Sequence, residues 1–343
     1  MGVENVKKSM NIVSLFDGCS GAQASLNKIH ARVDNYYASE VDSYAIKIAQ
    51  KNYPNTIQMG DVKGVSIDRT FPNIDLLIGG SPCQDLSFAG HQKGLVSGTR
   101  SNLFFEYVRI LKELKEINPD IKFLLENVRM KQENQNIISD LLGVEPILIN
   151  SAKLSAQNRQ RLYWTNIEGV RQPNGSNLVL KDILESDVDL KYLAGERLLK
   201  NYKGGNQLNP TYKSQANTIH DIDIKGPTLC AGTHGYAIGY VPSFSKDGLC
   251  HVGDADIKGI DSLKRVYHAE GKAPTLTTMQ GGHRQPKIFQ EPYNWRKLTP
   301  LECERLQGFP DNYTEGVSNT QRYKMLGNGF QVDTISFILD HII

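Results

Sequence analysis

From Asn11 to Ile167, short apolar runs alternate with longer amphipathic segments, and this alternation constrains the chain more than any other feature. Strands separated by helix-length segments pair in parallel through right-handed helical crossovers. Strands are predicted at 12–16, 36–39, 56–59, 74–78, 122–125, 146–150 and 161–166, with helices in the gaps. The clearest helix is 102–117, where Leu103, Tyr107, Ile110, Leu111, Leu114 and Ile117 recur at helical spacing before Asn118-Pro119 stops it. That stripe is read as core.

After about Gly169 the alternation gives way to Gly, Asn, Pro, Asp and Lys with short strand-like pieces, which predicts a second, smaller, loop-rich domain. Helical signals return from Leu298 and end in the apolar segment 332–343, long enough to pack back on the first domain. With roughly 150 residues per domain, a chain of 343 residues should hold about two. The loop-rich part contains an echo: Gly226-Pro227-Thr228-Leu229 before Thr233-His234-Gly235, and Ala273-Pro274-Thr275-Leu276 before Gly281-Gly282-His283, with Ala216-Asn217-Thr218-Ile219 as a third fragment. It reads either as recurring turn chemistry or as a duplicated recognition element.

Composition sets few limits. The opening residues carry no apolar core of signal-peptide length, and no stretch approaches the roughly 18 apolar residues of a membrane span. Val6 stands where a myristoylation signal needs Ser or Thr, so a cytoplasmic protein is expected. Cys19, Cys83, Cys230, Cys250 and Cys303 form no C-x-x-C pair, which argues against a zinc site and a disulfide framework. Five of the eight histidines lie in the loop-rich half without ligand spacing, so no metal is expected. Net charge is +2, and residues 171–295 hold 15 Lys and Arg against 13 Asp and Glu; a polyanionic partner is permitted, not demanded.

In an open parallel sheet, ligands bind beyond the carboxyl ends of the strands. Phe16-Asp17-Gly18-Cys19-Ser20-Gly21 follows the first strand, Glu40-Val41-Asp42 the second and Gly60-Asp61-Val62 the third. Gly18 and Gly21 allow backbone to approach a ligand at a helix N-terminus. Glu40 stands close to the roughly 20 residues beyond Gly18 at which a carboxylate accepts ribose hydroxyls. Together these residues favour an adenosine-containing cofactor and leave NAD and S-adenosylmethionine both open.

The chemistry-bearing residues follow the next strands. Pro82-Cys83-Gln84 continues the fourth, where a thiol in a glycine-rich loop can act as nucleophile, although burial as a small hydrophobe is a cysteine's usual fate. Glu126 follows Phe123-Leu124-Leu125, an apolar context that partly desolvates a carboxyl group and keeps it available as a proton donor. Arg159 and Arg161 are two apart, so on extended chain both project to one face, fit to hold a phosphate or carbonyl oxygen, with an exposed charged edge as the bland alternative.

This ordered set resembles the DNA (cytosine-5) methyltransferases of phage and restriction-modification type. Ser14-Leu15-Phe16-Asp17-Gly18 resembles the first cofactor motif, Glu126-Asn127-Val128 the ENV motif, Gln157-x-Arg159-x-Arg161 the QxRxR motif and Gly327-Asn328-Gly329 the last motif; the stretch from Arg296 to Pro310 is similar to the penultimate one. The resemblance implies a Rossmann-like α/β sheet with a smaller target-recognition domain: residues 1–169, completed by 318–343, bind cofactor and catalyse, and 170–317 read the target. It implies S-adenosylmethionine held by Phe16, Asp17, Gly18, Gly21, Glu40, Val41, Asp61, Val62 and Asn328. It implies a flipped cytosine in double-stranded DNA attacked by Cys83, with Glu126 on N3 and the exocyclic amine, Arg161 on the base oxygen and Arg159 on the catalytic loop.

DNA would meet Ser81, Pro82, Gln84, Ser87, Asn127, Gln157 and Thr275, with Asn127 bracing the Cys83 loop. Thr275-Leu276 resembles the family's TL pair, and Thr228-Leu229 is its rival. A monomer bound to nucleoid DNA, alongside a restriction endonuclease of the same site or in phage protection, is the implied setting. Three departures from the common pattern stand out: Ser81, Ser20, and Gly329-Phe330 where the resemblance implies a small polar residue and then valine in many relatives. The rivals are a tRNA methyltransferase, a non-catalytic DNA-binding relative and a nicotinamide oxidoreductase.

Overall fold

The computed structural model describes residues 9–81, 102–189, 249, 251–255, 260–278, 285–290 and 294–343. Its centre is a seven-stranded sheet. The strands are β1 (Met10–Leu15), β2 (Val33–Ser39), β3 (Ile57–Gln58), β4 (Leu76–Gly79), β5 (Lys122–Val128), β6 (Ile147–Asn150) and β7 (Gln160–Thr165), arranged β3-β2-β1-β4-β5-β7-β6. Helices α1 (Gly21–Lys28), α2 (Ser43–Asn52), α3 (Asn102–Ile117) and α4 (Gln132–Leu142) fill the connections.

All seven predicted strands are present, and β1 to β5 pair in parallel. The expectation of a uniformly parallel sheet is corrected at β7, which runs antiparallel to both β5 and β6. The reason is length. Only residues 151–159 join β6 to β7, and they form a 3-10 turn and irregular chain, whereas a parallel crossover needs a dozen residues or more.

Each face of the sheet is covered because apolar residues stand on both sides of the central strands. Val13, Leu15, Leu77, Phe123 and Leu125 pack with Tyr107, Ile110, Leu111 and Leu114 of α3 and with Trp164. Their neighbours Ile12, Ile78 and Leu124 point the other way, into Ala22 and Leu26 of α1 and the C-terminal helix. Each large apolar side chain so buried contributes roughly 1.5–3 kcal/mol relative to exposure. Helix α3 has the predicted bounds, and its buried stripe also takes in Phe104 and Val108. Asn118 ends it and donates from Nδ2 to the Ile74 carbonyl at 2.7 Å, tying the helix end to the entry of β4.

Beyond residue 170 the described chain forms a four-stranded sheet ordered β11-β10-β9-β8 from β8 (His251–Asp254), β9 (Arg265–Tyr267), β10 (Lys287–Gln290) and β11 (Asn294–Lys297), with a short helix α5 (Asp261–Lys264) before β9. Three helices follow: α6 (Pro300–Leu306), α7 (Asn319–Asn328) and α8 (Val332–Leu339). Thr299 opens α6 with a capping box, its hydroxyl accepting from the Glu302 amide while Glu302 accepts from the Thr299 amide. Among the described residues, the small sheet shares its core with the first part. Tyr267, Leu276, Ile288, Leu298 and Leu306 share one apolar cluster with Cys19, Ala24 and Ile48 of the first part. Of the echo, 273–276 is described and 226–235 lies outside the described residues.

Residues 298–317 are fixed by a buried charge. Glu304 is fully buried and accepts from Arg322 Nη2 at 2.8 Å, from the Thr314 amide at 2.8 Å and from the Thr314 hydroxyl. Removing one partner of such a pair leaves the other charged and desolvated. Glu304→Ala is expected to lower unfolding stability by about 3–5 kcal/mol, read from the shift of the urea midpoint at constant slope.

Candidate active site

The carboxyl ends of β1, β2, β4 and β5 and the start of β7 meet along one edge of the large sheet. The register explains the convergence: Leu15 lies beside Ser39 and Gly79, Gly79 beside Leu125, and Val128 beside Arg161. Since β7 runs backwards, its first residues emerge where β5 ends.

At the β1 end the chain turns sharply, with Phe16, Gly18 and Ser20 all at positive φ (57, 60 and 63°). Non-glycine residues take this conformation at a cost, so something must hold it. Asp17 does so: its buried carboxylate accepts hydrogen bonds from the hydroxyls of Ser14 (2.6 Å), Ser20 (2.5 Å) and Tyr36 (2.7 Å). The side chain of Asp17, a residue expected at the cofactor, shapes the loop. Ser20, flagged as a departure from the usual glycine, supplies one of those hydroxyls. Gly21 then starts α1.

Glu40 reaches back to the same loop. Its Oε2 accepts from the Gly18 amide at 2.8 Å, and Oε1 accepts from the amides of Val41 (2.7 Å) and Asp42 (2.8 Å). A carboxylate offers about four lone-pair sites, so capacity remains for one further hydroxyl. Val41 is 71% exposed, an apolar surface beside that carboxylate. Asp61 is exposed and accepts from the Lys63 amide with Oδ1. Gly18 and Gly60 have no atom within 4 Å of where a Cβ would stand. Val62, expected at the same site, has its side chain buried with Val65, Leu77 and Tyr107, so only its backbone faces that edge, the 3-10 turn that Asp61 caps having turned the side chain inward.

The second focus is Glu126 on β5, whose side chain is 12% exposed. Arg161 Nε lies 3.1 Å from Oε1, and Arg159 Nη2 lies 4.0 Å from the same oxygen. The two arginines therefore do share a face. The apolar neighbours visible in sequence said nothing of these cations. Arg159 is buried and also donates from Nη2 to the Gly329 carbonyl at 2.9 Å, and from Nη1 to the Leu276 carbonyl at 3.5 Å. Next along β5, Asn127 donates from Nδ2 to the Ser81 hydroxyl at 3.1 Å. It thus holds the residue that leads into the Cys83 loop. Pro82, Cys83, Gln84 and Ser87 lie outside the described residues.

Of two residues expected to meet DNA, Gln157 is enclosed and Thr275 is half-buried. Gln157 is fully buried and bridges Ala273. Thr275 donates its hydroxyl to the Asn158 carbonyl at 2.8 Å. The pairing is extended by the Asn158 amide on the Ala273 carbonyl and by the Ala273 amide on Ala156. Buried Lys272 donates to the carbonyls of Ser155, Ser176 and Leu178. Residues 272–276 are thus strapped to the chain that carries the arginines. Asn328 ends α7 and is exposed, while Gly327 packs so tightly that a Cβ there would stand 1.9 Å from the Thr277 carbonyl oxygen. Lys324 reaches Asp42 at the N-terminus of α2. None of these contacts has a local sequence signal, since each joins segments 50 or more residues apart.

Among the described residues, no three or more His, Cys, Asp or Glu are grouped to hold a metal, and no helix is long and apolar enough to cross a membrane.

Burial raises the carboxyl of Asp17 above its ordinary range despite the hydrogen bonds from Ser14, Ser20 and Tyr36, which oppose the shift. The folded protein therefore takes up this proton at higher pH than the unfolded chain, whose aspartates titrate near 3.9. The contribution of Asp17 is most favourable below that value and is lost as pH rises through the raised one. Asp17→Asn should remove this component, so that wild type gains on the variant as pH falls through the raised value toward that of an unfolded aspartate, measured by urea unfolding at descending pH.

The family model for C-5 cytosine-specific DNA methylases matches residues 10–343. The orphan methyltransferase M.Rho11sI of Bacillus phage rho11s is 27% identical, with 97% of this chain and 98% of the relative covered. The type II methyltransferase M.HhaI of Haemophilus parahaemolyticus is also 27% identical, over 97% of this chain and 94% of its own. The solved structure of the methyltransferase EhMeth from Entamoeba histolytica shares the fold, with a TM-score of 0.66 at 15% identity over 98% of both chains. With the match spanning both the cofactor-side loops and the Glu126 cluster, the chain belongs to the C-5 cytosine-specific DNA methylase family.

Proposed function

We propose that this DNA cytosine methyltransferase acts on a cytosine flipped out of double-stranded DNA, within a specific short sequence, using S-adenosylmethionine. The observation that carries the reading is Glu126, held at 3.1 Å by Arg161 at the strand edge beside Ser81, with the open space over Gly18 alongside.

The residues at the β1 to β3 ends suit an adenosine cofactor. Gly18 and Gly60 leave open space, Glu40 keeps capacity for a ribose hydroxyl, Val41 offers an exposed apolar face, and Asp61 stands at the next strand end. Phe16 and Asn328 would complete that wall, with Gly21 allowing the approach of α1, and Asp17 and Val62 contributing through loop shape and backbone. Bound there, S-adenosylmethionine supplies an electrophilic methyl group.

The chain's own residues would do the rest. Cys83 would add as thiolate to C6 of the flipped base, which makes C5 nucleophilic. Glu126 would hold N3 and the exocyclic amine and share a proton there, so that negative charge does not accumulate on the ring. Arg161 would fix Glu126 and meet the base oxygen. Arg159 would act through backbone, pinning the carbonyls of Gly329 and Leu276. Loss of the C5 proton and elimination of the thiol would release the methylated base.

Residues 1–169 with 318–343 would form the catalytic part and 170–317 the target-reading part, with 298–317 as the seam. Side chains from the reading part would enter the major groove, where base edges are distinguishable. Ser81, Pro82, Gln84, Ser87 and Asn127 would shape the loop around the base, and Gln157 and Thr275 would support it from within. The setting we infer is protection of DNA, by a phage or beside a restriction endonuclease, by a monomer in the cytoplasm.

Bisulfite sequencing of a mixed-sequence plasmid after incubation with protein and S-adenosylmethionine tests the reading. Protected cytosines in one short context are expected, with none for Cys83→Ala. Transfer of methyl to RNA and not to duplex DNA would replace the substrate. Glu126→Gln keeps the shape and loses the charge, and should lower kcat by on the order of 10²-fold in a radiolabelled methyl-transfer assay.

A further inference from the structure

Phe330 follows directly after the C-cap of α7, and the structure gives its ring a defined place. The side chain is 6% exposed. A Cβ on Gly21 would stand 3.3 Å from Phe330 Cβ and 3.6 Å from its amide nitrogen, so the backbone of Phe330 lies against the entry of α1. A Cβ on Gly80 would stand 3.0 Å from Phe330 Cε1, 3.4 Å from Cζ and 3.3 Å from Glu126 Oε2. The ring and the carboxylate therefore close on one point, and a Cβ there would crowd both.

The backbone on either side is held. Arg159 donates to the Gly329 carbonyl, the Gly329 amide donates to Met325 at 2.8 Å, and Gln331 caps α8 by accepting from the Thr334 amide. Phe330 thus has little freedom to withdraw.

We infer that Phe330 is a positioning residue for methyl transfer: its ring backs Gly80, three residues before Cys83, and fixes the distance between the root of the catalytic loop and Glu126. The inference rests on the function proposed above. The ring carries no charge, and the Phe330 atoms that meet Gly21 are Cβ and the amide nitrogen, not the ring. Truncating the ring should therefore slow the chemical step and spare the cofactor.

The test is a size exchange across the contact. Phe330→Val, Phe330→Leu, Gly80→Ala and the double variant Gly80→Ala/Phe330→Val are compared with wild type for kcat, for KM toward DNA and S-adenosylmethionine, and for thermal midpoint. Displacements well under 1 Å at a reacting centre cost about tenfold in rate, and that loss in kcat is expected for Phe330→Val and for Gly80→Ala, with the KM for S-adenosylmethionine within about threefold. The two changes should not add: the space left by Val accepts the new methyl, and the double variant should exceed Gly80→Ala by several-fold. Phe330→Leu, which keeps more volume, should lie between Val and wild type and serves in place of Val if that variant does not fold. An unchanged kcat in the Phe330 variants, or losses that simply multiply in the double variant, overturns the positioning role while an active wild type keeps the functional reading. A wild type that transfers no methyl to cytosine overturns both.

Discussion

The Glu126–Arg161 contact is possible only because β7 runs against β5. Val128 pairs with Arg161 and Glu126 with Tyr163, so the first residues of one strand lie beside the last of the other. A parallel seventh strand would send its start to the opposite edge of the sheet, some 20 Å away at roughly 3.3 Å per residue. The short 151–159 connection that enforces the reversal therefore decides whether a carboxylate and two guanidinium groups share one edge. Arg159 extends the cluster by donating to the carbonyls of Gly329 and Leu276, and so ties it to the C-terminal segment and to the chain between β9 and β10.

The cofactor side rests on a different use of charge. Asp17 is a buried carboxylate surrounded by hydroxyls and not by cations, which leaves its burial only partly compensated. Its return is conformational: three hydrogen bonds hold Phe16 and Ser20 in backbone states that neither would choose alone. The Glu40 carboxylate, gathering three amides, works alike on the next turn.

Much of this was legible in sequence because the signals were local. Apolar runs set the seven strands, the spacing of Tyr107, Ile110, Leu111 and Leu114 set α3, and the two-residue offset of Arg159 and Arg161 put both on one side. What was not legible depended on contacts remote in the chain. The direction of β7 follows from connection length, a weaker cue than hydrophobic pattern. Asp17 and Val62 occupy motif positions, but whether such a side chain turns outward is set by φ and by distant donors such as Tyr36. Gln157 reads as a polar residue fit for DNA, and only the strap from residue 273 shows that it is enclosed. Phe330 carried the least local information of all, since its meaning lies in two glycines 250 and more residues earlier.

That distance has a consequence for how the enzyme comes into being. The wall formed by residues 327–331 stands against Gly21 and Gly80, segments made early in synthesis and separated from it by the whole of the small sheet. Chains emerge from the ribosome at roughly 5–20 residues per second, so the first five strands would wait some tens of seconds for this segment. During that interval the cleft lacks one side. A growing chain would thus hold the small sheet and the Glu126 cluster before the segment that Arg159 and Gly80 meet has been made, so this edge of the large sheet is completed only when synthesis is nearly over.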